Sequence, residues 1–284
     1  MPDAVIKKLK GSALLMAVLI ILLLVYYFVL QNQKNHETAS EQPSVTTNTL
    51  LAATSDNKSL NDTSIEKKYL IGKFDPSRDK SFTECDPEYA SRTGIYVQVE
   101  TYKAFIKMFY AAKNAGVNLK IISGTRNFSY QKSIWEAKWN GSRLVEGKNL
   151  AATVKDPAAR AAIILKYSSM PGTSRHHWGT DVDLNSLDPK YFETGVGKKV
   201  YDWLCSNASK YGFCQPYTAF SEDRMTGYQE EKWHWSYIPT AKLFLLQYKS
   251  DVTYDDISGF SGSQTARDLK VIDDFVISVN KVCN

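Results

Sequence analysis

TSRHHWGTDVDL, residues Thr173–Leu184, packs two histidines, two aspartates, a glycine and a tryptophan into twelve positions. The stretch reads either as a polar surface turn or as one half of a metal site whose other half lies elsewhere in the chain. His176 and Asp183 are seven residues apart, too far for one helical face and of opposite parity on an ideal strand. A bend must therefore bring them together, and Gly179 supplies the backbone freedom for it. An open zinc site needs three protein ligands from His, Asp or Glu, with the fourth position left for water. The chain has only four histidines, and the one outside the polar N-terminal segment and the 176/177 pair is His234, in EEKWHWSY. His176, Asp183 and His234 thus form an economical triad. Metal-assisted hydrolysis also needs a base to take a proton from water. Glu231, three residues before His234, is placed for that role, although Glu230-Glu231-Lys232 taken alone reads as a solvated turn before a strand.

Around this stretch the 284 residues, 43% of them hydrophobic, are ample for a buried core, which excludes disorder throughout. The net charge of +5, with acidic and basic residues interleaved, gives no reason to expect a nucleic-acid partner. Residues 12–30, SALLMAVLIILLLVYYFVL, are uncharged and close to the roughly 20 residues that cross a bilayer as a helix. Lys7, Lys8 and Lys10 precede the run, so the positive-inside tendency keeps residues 1–11 in the cytoplasm and sends the rest outside. The run exceeds the usual signal-peptide core of about 7 to 15 residues and lacks a small-x-small cleavage site, so an uncleaved anchor is expected. Residues 31–68, rich in Asn, Ser, Thr, Gln and Glu, form a flexible tether.

A folded domain is expected over 69–250, with a C-terminal extension over 251–284 that carries an amphipathic helix at roughly 265–280. Val99, Tyr102, Phe105, Ile106 and Phe109 recur at helical spacing, and Gly116 follows as a stop. VNLKIISG (117–124) reads as a strand, YQKSIWEAKWNG as a helix, and DPAARAAIILKYSSM as a helix capped by Asp156. The His/Asp stretch is expected as a strand, followed by a helix stopped at Gly212 and strands at FCQPYT and KWHWSYI. Without regular βαβ alternation, this mixture predicts an α+β fold. Cys205 with Cys214, and Cys85 with Cys283, are the expected disulfides, and no C-x-x-C spacing suggests thiolate zinc or redox chemistry.

The blocks Ser174-x-His176-x-x-Gly179-x-x-x-Asp183 and Glu231-x-Trp233-His234, with SGTRNFSYQ (123–131) upstream, resemble the M15 (VanY-type) zinc D-alanyl-D-alanine carboxypeptidases. The resemblance covers about residues 95–240, with three separated blocks in the family's order. It implies a small antiparallel sheet that carries zinc among flanking helices, as in the hedgehog signalling domain. It also implies zinc on His176, Asp183 and His234, Glu231 as general base and Arg126 as the guanidinium facing the oxyanion. Gln131 and Ser174 would orient the substrate. Apart from the resemblance, Trp235 reads either as a core residue or, because it is one place beyond a ligand histidine, as a wall of the pocket. The expected reaction removes the terminal D-alanine from peptidoglycan stem peptides. The alternatives are an L,D-carboxypeptidase or endopeptidase on the same scaffold, or a non-catalytic zinc-containing module that binds the wall.

Two features depart from a simple strand picture. Asp181 shares parity with Asp183, so it either accepts a hydrogen bond from a ligand histidine or pairs with Arg175 or Lys120. Glu230, not Glu231, shares parity with His234, so choosing Glu231 demands a bend before the strand. His177, which should point away from the ligands, reads as a packed or hydrogen-bonded structural residue.

Overall fold

The computed structural model describes residues 64–283, and the expected segments 1–11, 12–30 and nearly all of 31–68 lie outside them. Among the described residues no helix is long and apolar enough to cross a membrane. A two-stranded ribbon pairs β1 (Phe82–Glu84) with β2 (Tyr96–Gln98), which runs directly into helix α1 (Val99–Asn114). The sheet that carries the histidines consists of β3 (Ile121–Ser123), β4 (Asp181–Leu184), β5 (Phe213–Cys214) and β6 (His234–Tyr237). Its order is β3-β4-β6-β5 and every pairing is antiparallel. Helices α2 (Phe128–Trp139), α3 (Pro157–Leu165), α4 (Gly195–Asn207) and α5 (Ile238–Asp251) flank it. The fold is therefore α+β.

Local chemistry explains most boundaries. Ala104, Phe105, Met108, Phe109 and Ala112 make the buried stripe of α1. Asn127 caps α2 by accepting from the Tyr130 amide at 2.9 Å, and Asp156 caps α3 by accepting from the Ala159 amide at 2.7 Å. Two apolar clusters sandwich the site. Val182 and Leu184 of β4 and Trp235 of β6 pack with α1 and α4 in one, whereas Trp135, Trp178 and α5 belong to the other. Alternation along β4 and β6 then leaves Asp181, Asp183, His234 and Ser236 for the opposite face of the sheet.

The C-terminal segment differs from the expected helix over 265–280. A 3-10 turn at Ser263–Thr265 is followed by a π-helical turn at Val271–Val276, because Lys270 adopts left-handed backbone (φ 47°) and breaks the α-helical path. Val271, Ile272, Val276 and Val279 nonetheless join the cluster that holds α5.

The expected cysteine pairing is also corrected. Cys214 is bonded to Cys283, Cys205 is free and exposed, and Cys85 is free and buried. The reason lies in the C-terminal segment, which reaches β5 through the Asn280 amide donating to the Pro216 carbonyl at 2.9 Å and so lays Cys283 beside Cys214. Burial pushes the Cys85 thiol up to about 12, which makes it inert. The bond closes a loop with a sequence separation of 69, for which chain entropy gives about 4 kcal/mol of stabilisation. Cys214→Ser is expected to lose that amount in a urea unfolding titration.

Candidate active site

The bend demanded by the sequence is a 3-10 turn at Arg175–Trp178, closed by Gly179 with φ 71°. A Cβ at Gly179 would sit 2.3 Å from the Phe82 ring, so a side chain is excluded by contact as well as by conformation. The turn swings His176 over β4, while β4 and β6 pair Asp183 directly with His234 and Asp181 with Ser236. His176 Nε2 lies 3.3 Å from Asp183 Oδ1, and His234 Nδ1 lies 3.4 Å from the same oxygen. These three ligand atoms fall within 4.8 Å of one another, and all three side chains are buried.

The remaining polar atoms fix which nitrogen is offered. His176 Nδ1 donates to the Gly124 carbonyl at 2.8 Å, leaving Nε2 buried without a partner. His234 Nε2 donates to Asp181 Oδ1 at 2.9 Å, which turns Nδ1 toward Asp183. Asp181 also accepts from Arg175 Nε at 3.1 Å, Thr180 Oγ1 at 2.6 Å and Ser236 Oγ at 3.0 Å. It therefore both pairs with Arg175 and orients a ligand histidine. Lys120 instead donates to the carbonyls of Pro87 and Glu88. His177 points elsewhere, its Nδ1 donating to the Arg126 carbonyl at 2.5 Å and its Nε2 accepting from the Gly172 amide at 3.0 Å.

Glu231 precedes β6, and the chain bends there because its amide donates to the Tyr217 carbonyl at 2.9 Å and its carbonyl accepts from Gln215 Nε2 at 3.2 Å. Its Oε2 consequently lies 3.2 Å from His234 Nδ1. Glu230 instead faces Lys232, at 3.9 Å. Arg126, Gln131, Ser174, Glu231, His176 and His234 line one small polar cavity. Gln131 Nε2 donates to the Ser169 carbonyl at 2.8 Å, and its Oε1 and Arg126 Nε are buried without partners. Trp235 is not among them: it faces the opposite side of β6, in the apolar cluster, and its indole N–H donates to the Lys232 carbonyl at 3.1 Å. One residue beyond His234, it lies on the other face of the strand, in the apolar core and away from the cavity that His176 and His234 line.

Residues 94–240 match the family model described as VanY, D-alanyl-D-alanine carboxypeptidase, over more than half of the chain. The chain belongs to the VanY family. Among curated relatives it is 28% identical over 202 residues to YodJ of Bacillus subtilis, which is named as a candidate carboxypeptidase, covering 68% of this chain and 64% of that protein. It is 31% identical over 131 residues to a D-alanyl-D-alanine carboxypeptidase of Enterococcus faecalis, covering 46% of this chain and 44% of that one. The chain thus spans less than two thirds of either relative. The crystal structure of a point mutant of the vancomycin-resistance D,D-pentapeptidase VanY, in complex with Zn(II), shares 24% identity at a TM-score of 0.44, over 61% of this chain and 86% of that one.

In this VanY-family chain the donor set suits zinc: two imidazoles and one carboxylate, with the Asp183 and His176 ligand atoms buried and unpaired. Burial and the Arg126 charge lower the His176 pKa, so its Nε2 carries no proton at neutral pH. Burial opposes ionisation of Asp183, yet His176, His234 and Arg126 outweigh it and hold its carboxyl below the usual range. Burial would likewise lower His234, but Asp181, Glu231 and Asp183 push it up to about 9. A proton on His234 Nδ1 therefore competes with a metal ion. Because this folded pKa is raised above 6.5, the stabilisation that protonated His234 gives the metal-free protein is complete below pH 6.5 and is lost as pH rises through about 9. Zinc affinity should rise by up to about tenfold per pH unit across that window, with proton release on binding. Calorimetry in buffers of different ionisation enthalpy measures both.

Several residues of the site escaped the sequence reading. Ser236 shares parity with His234 and could have been found that way. Tyr217, whose ring centroid is 4.8 Å from that of His234, and Tyr228 arrive from a loop that carries no motif. Arg224 holds that loop by donating to the carbonyls of Thr218, Thr226 and Tyr228.

Proposed function

We propose that the protein is a zinc carboxypeptidase that removes the terminal D-alanine from peptidoglycan stem peptides, working outside the membrane on the tether that follows residues 12–30. The observation that carries this reading is the convergence of His176 Nε2, Asp183 Oδ1 and His234 Nδ1, with the Glu231 carboxylate 3.2 Å from the last. Zinc bound there supplies a Lewis acid that acidifies water and polarises the scissile carbonyl. Glu231 accepts the proton of the attacking water and passes it to the leaving amine. Arg126, whose fork lines the same cavity, faces the negative charge that develops on the carbonyl oxygen. Asp181 holds the His234 ring in the tautomer that leaves Nδ1 free. Gln131 and Ser174 line the substrate side of the cavity.

The test is mass spectrometry of defined muropeptides incubated with the zinc-loaded protein and with a chelator-treated sample. Pentapeptide stems shortened by one alanine only in the metal-loaded sample support the reading. Cleavage of a tetrapeptide stem in place of the pentapeptide would move the activity to the L,D class. The anchor is tested by protease shaving of intact cells with N-terminal sequencing: a mature N-terminus between residues 31 and 45 would replace the anchor with a signal peptide.

A further inference from the structure

Arg126 lines two cavities, the small catalytic one of about 20 Å3 and a wider one of about 380 Å3. Arg92, Ser123, Gly124, Thr125 and Tyr130 line the wider cavity with it, and no acidic side chain does. The reaction above gives this second cavity no task. It is nevertheless built onto the metal site, because the Gly124 carbonyl accepts from His176 Nδ1 at 2.8 Å and the Arg126 amide donates to the His176 carbonyl at 3.1 Å. Residues 124–126 are thus a wall shared by the ligand histidine and the wider cavity.

Arg92 reaches the cavity from a segment laid along β3. The Ser91 amide donates to the Ile121 carbonyl and the Ile121 amide to the Tyr89 carbonyl, each at 2.8 Å. Gly94, with φ 74°, turns the chain back, and the Cys85 amide closes the loop on the Ile95 carbonyl at 2.7 Å. The Arg92 backbone is therefore fixed on both sides. Its Nη1 donates only to the adjacent Thr93 carbonyl, at 3.1 Å, and no ion pair engages its side chain among the described residues. Glu84, the carboxylate brought to this turn, accepts instead from the Gly94 amide at 2.6 Å and the Tyr96 hydroxyl at 3.2 Å. In the same wall, Thr125 Oγ1 and Arg126 Nε are buried without partners. Two guanidiniums and a hydroxyl thus line a cavity to which the protein supplies no counter-charge, and a guanidinium fork matches a carboxylate in two parallel hydrogen bonds.

A carboxypeptidase releases one residue and retains the rest of the chain. With the scissile carbonyl at Arg126, the longer acyl side of the substrate needs the wider cavity. Resting on the carboxypeptidase reading, we propose that Arg92 binds a carboxylate that the substrate carries on the acyl side of the scissile bond, so that the enzyme selects acidic stem peptides. Two groups of a stem peptide offer this chemistry: the free α-carboxylate of a γ-linked glutamate, and the side-chain carboxylate of a diamino diacid at the following position. Amidation of either removes the charge and keeps the shape.

The experiment measures steady-state kinetics of the zinc-loaded full chain, solubilised in detergent, on four synthetic stem peptides ending in D-Ala-D-Ala. One has both carboxylates free, two are amidated at one position each, and the last is amidated at both. Wild type should lose about 3- to 10-fold in kcat/KM on one of the singly amidated peptides, which identifies the carboxylate, the size being that of a charge-assisted pair at an exposed arginine. The preference should shrink as salt is raised. Arg92→Met should lose the same factor on the free acid, mainly through KM, and match wild type on the doubly amidated peptide. Arg92→Lys should keep part of the preference. Lys103→Met, at a lysine of α1 that pairs with Glu100, should leave it unchanged. A wild type indifferent to amidation, an Arg92→Met that keeps the wild-type preference, or one that loses activity on all four peptides alike overturns the inference and leaves the proposed function standing. Should Arg92→Met fail to fold, the wild-type ratios and Arg92→Lys decide the matter. A zinc-loaded wild type that cleaves none of the four removes the proposed function and this inference with it.

Discussion

Glu231→Gln should abolish turnover, by about 10,000-fold or more, while zinc content and fold stay intact. The amide preserves the shape of the side chain but cannot accept a proton at neutral pH, and general bases typically contribute about 100- to 10,000-fold. Activating the nucleophile and protonating the leaving group through one carboxylate places this variant at the upper end. The structure supplies its own control, since Glu230 points to Lys232 and does not line the cavity. Glu230→Gln should remain near wild type in steady-state kinetics. A dead Glu230→Gln beside an active Glu231→Gln would mean that the base had been misassigned by one residue. Both variants active with zinc bound would favour a binding module.

The second large effect is expected at Asp181. This carboxylate is fully buried and accepts from Arg175, His234, Thr180 and Ser236. Burial would raise its pKa, but Arg175, His234 and His176 outweigh it and hold the carboxyl below the usual range. Asp181→Ala should cost about 3 to 5 kcal/mol in chemical denaturation, because it leaves the Arg175 guanidinium buried without its counter-charge. Zinc affinity should fall about 10- to 100-fold in competition with a chromophoric chelator, because the His234 ring loses the acceptor that fixes its tautomer. The double variant Arg175→Met/Asp181→Leu separates the two effects. Removing both charges should recover much of the stability but none of the zinc affinity. Recovery of both would reduce Asp181 to a structural counter-ion.

The parts of this site that were legible in the sequence are those fixed by scarcity and spacing. With four histidines in the chain, His176 and His234 had few rivals, and the seven-residue gap to Asp183 demanded the bend that Gly179 makes. Parity along β4 and β6 put Asp181, Asp183 and His234 on one face, and the same parity places Trp235 on the other, where adjacency in sequence had suggested the pocket. What the sequence hid depends on long-range packing. Cys283 reaches Cys214 only because the C-terminal segment runs alongside β5, and no spacing rule encodes that path. The π-helical turn at Val271–Val276 has an apolar pattern close to that of an α-helix, so periodicity could not tell the two apart.

Anomalous diffraction at the zinc edge from crystals of the zinc-loaded protein would locate the metal. One peak per chain is expected, about 2.0 to 2.2 Å from His176 Nε2, an Asp183 carboxylate oxygen and His234 Nδ1, with Asp181 still bonded to His234 Nε2. A peak bound through His234 Nε2 or Asp181, or no peak between β4 and the 3-10 turn at Arg175–Trp178, would contradict it.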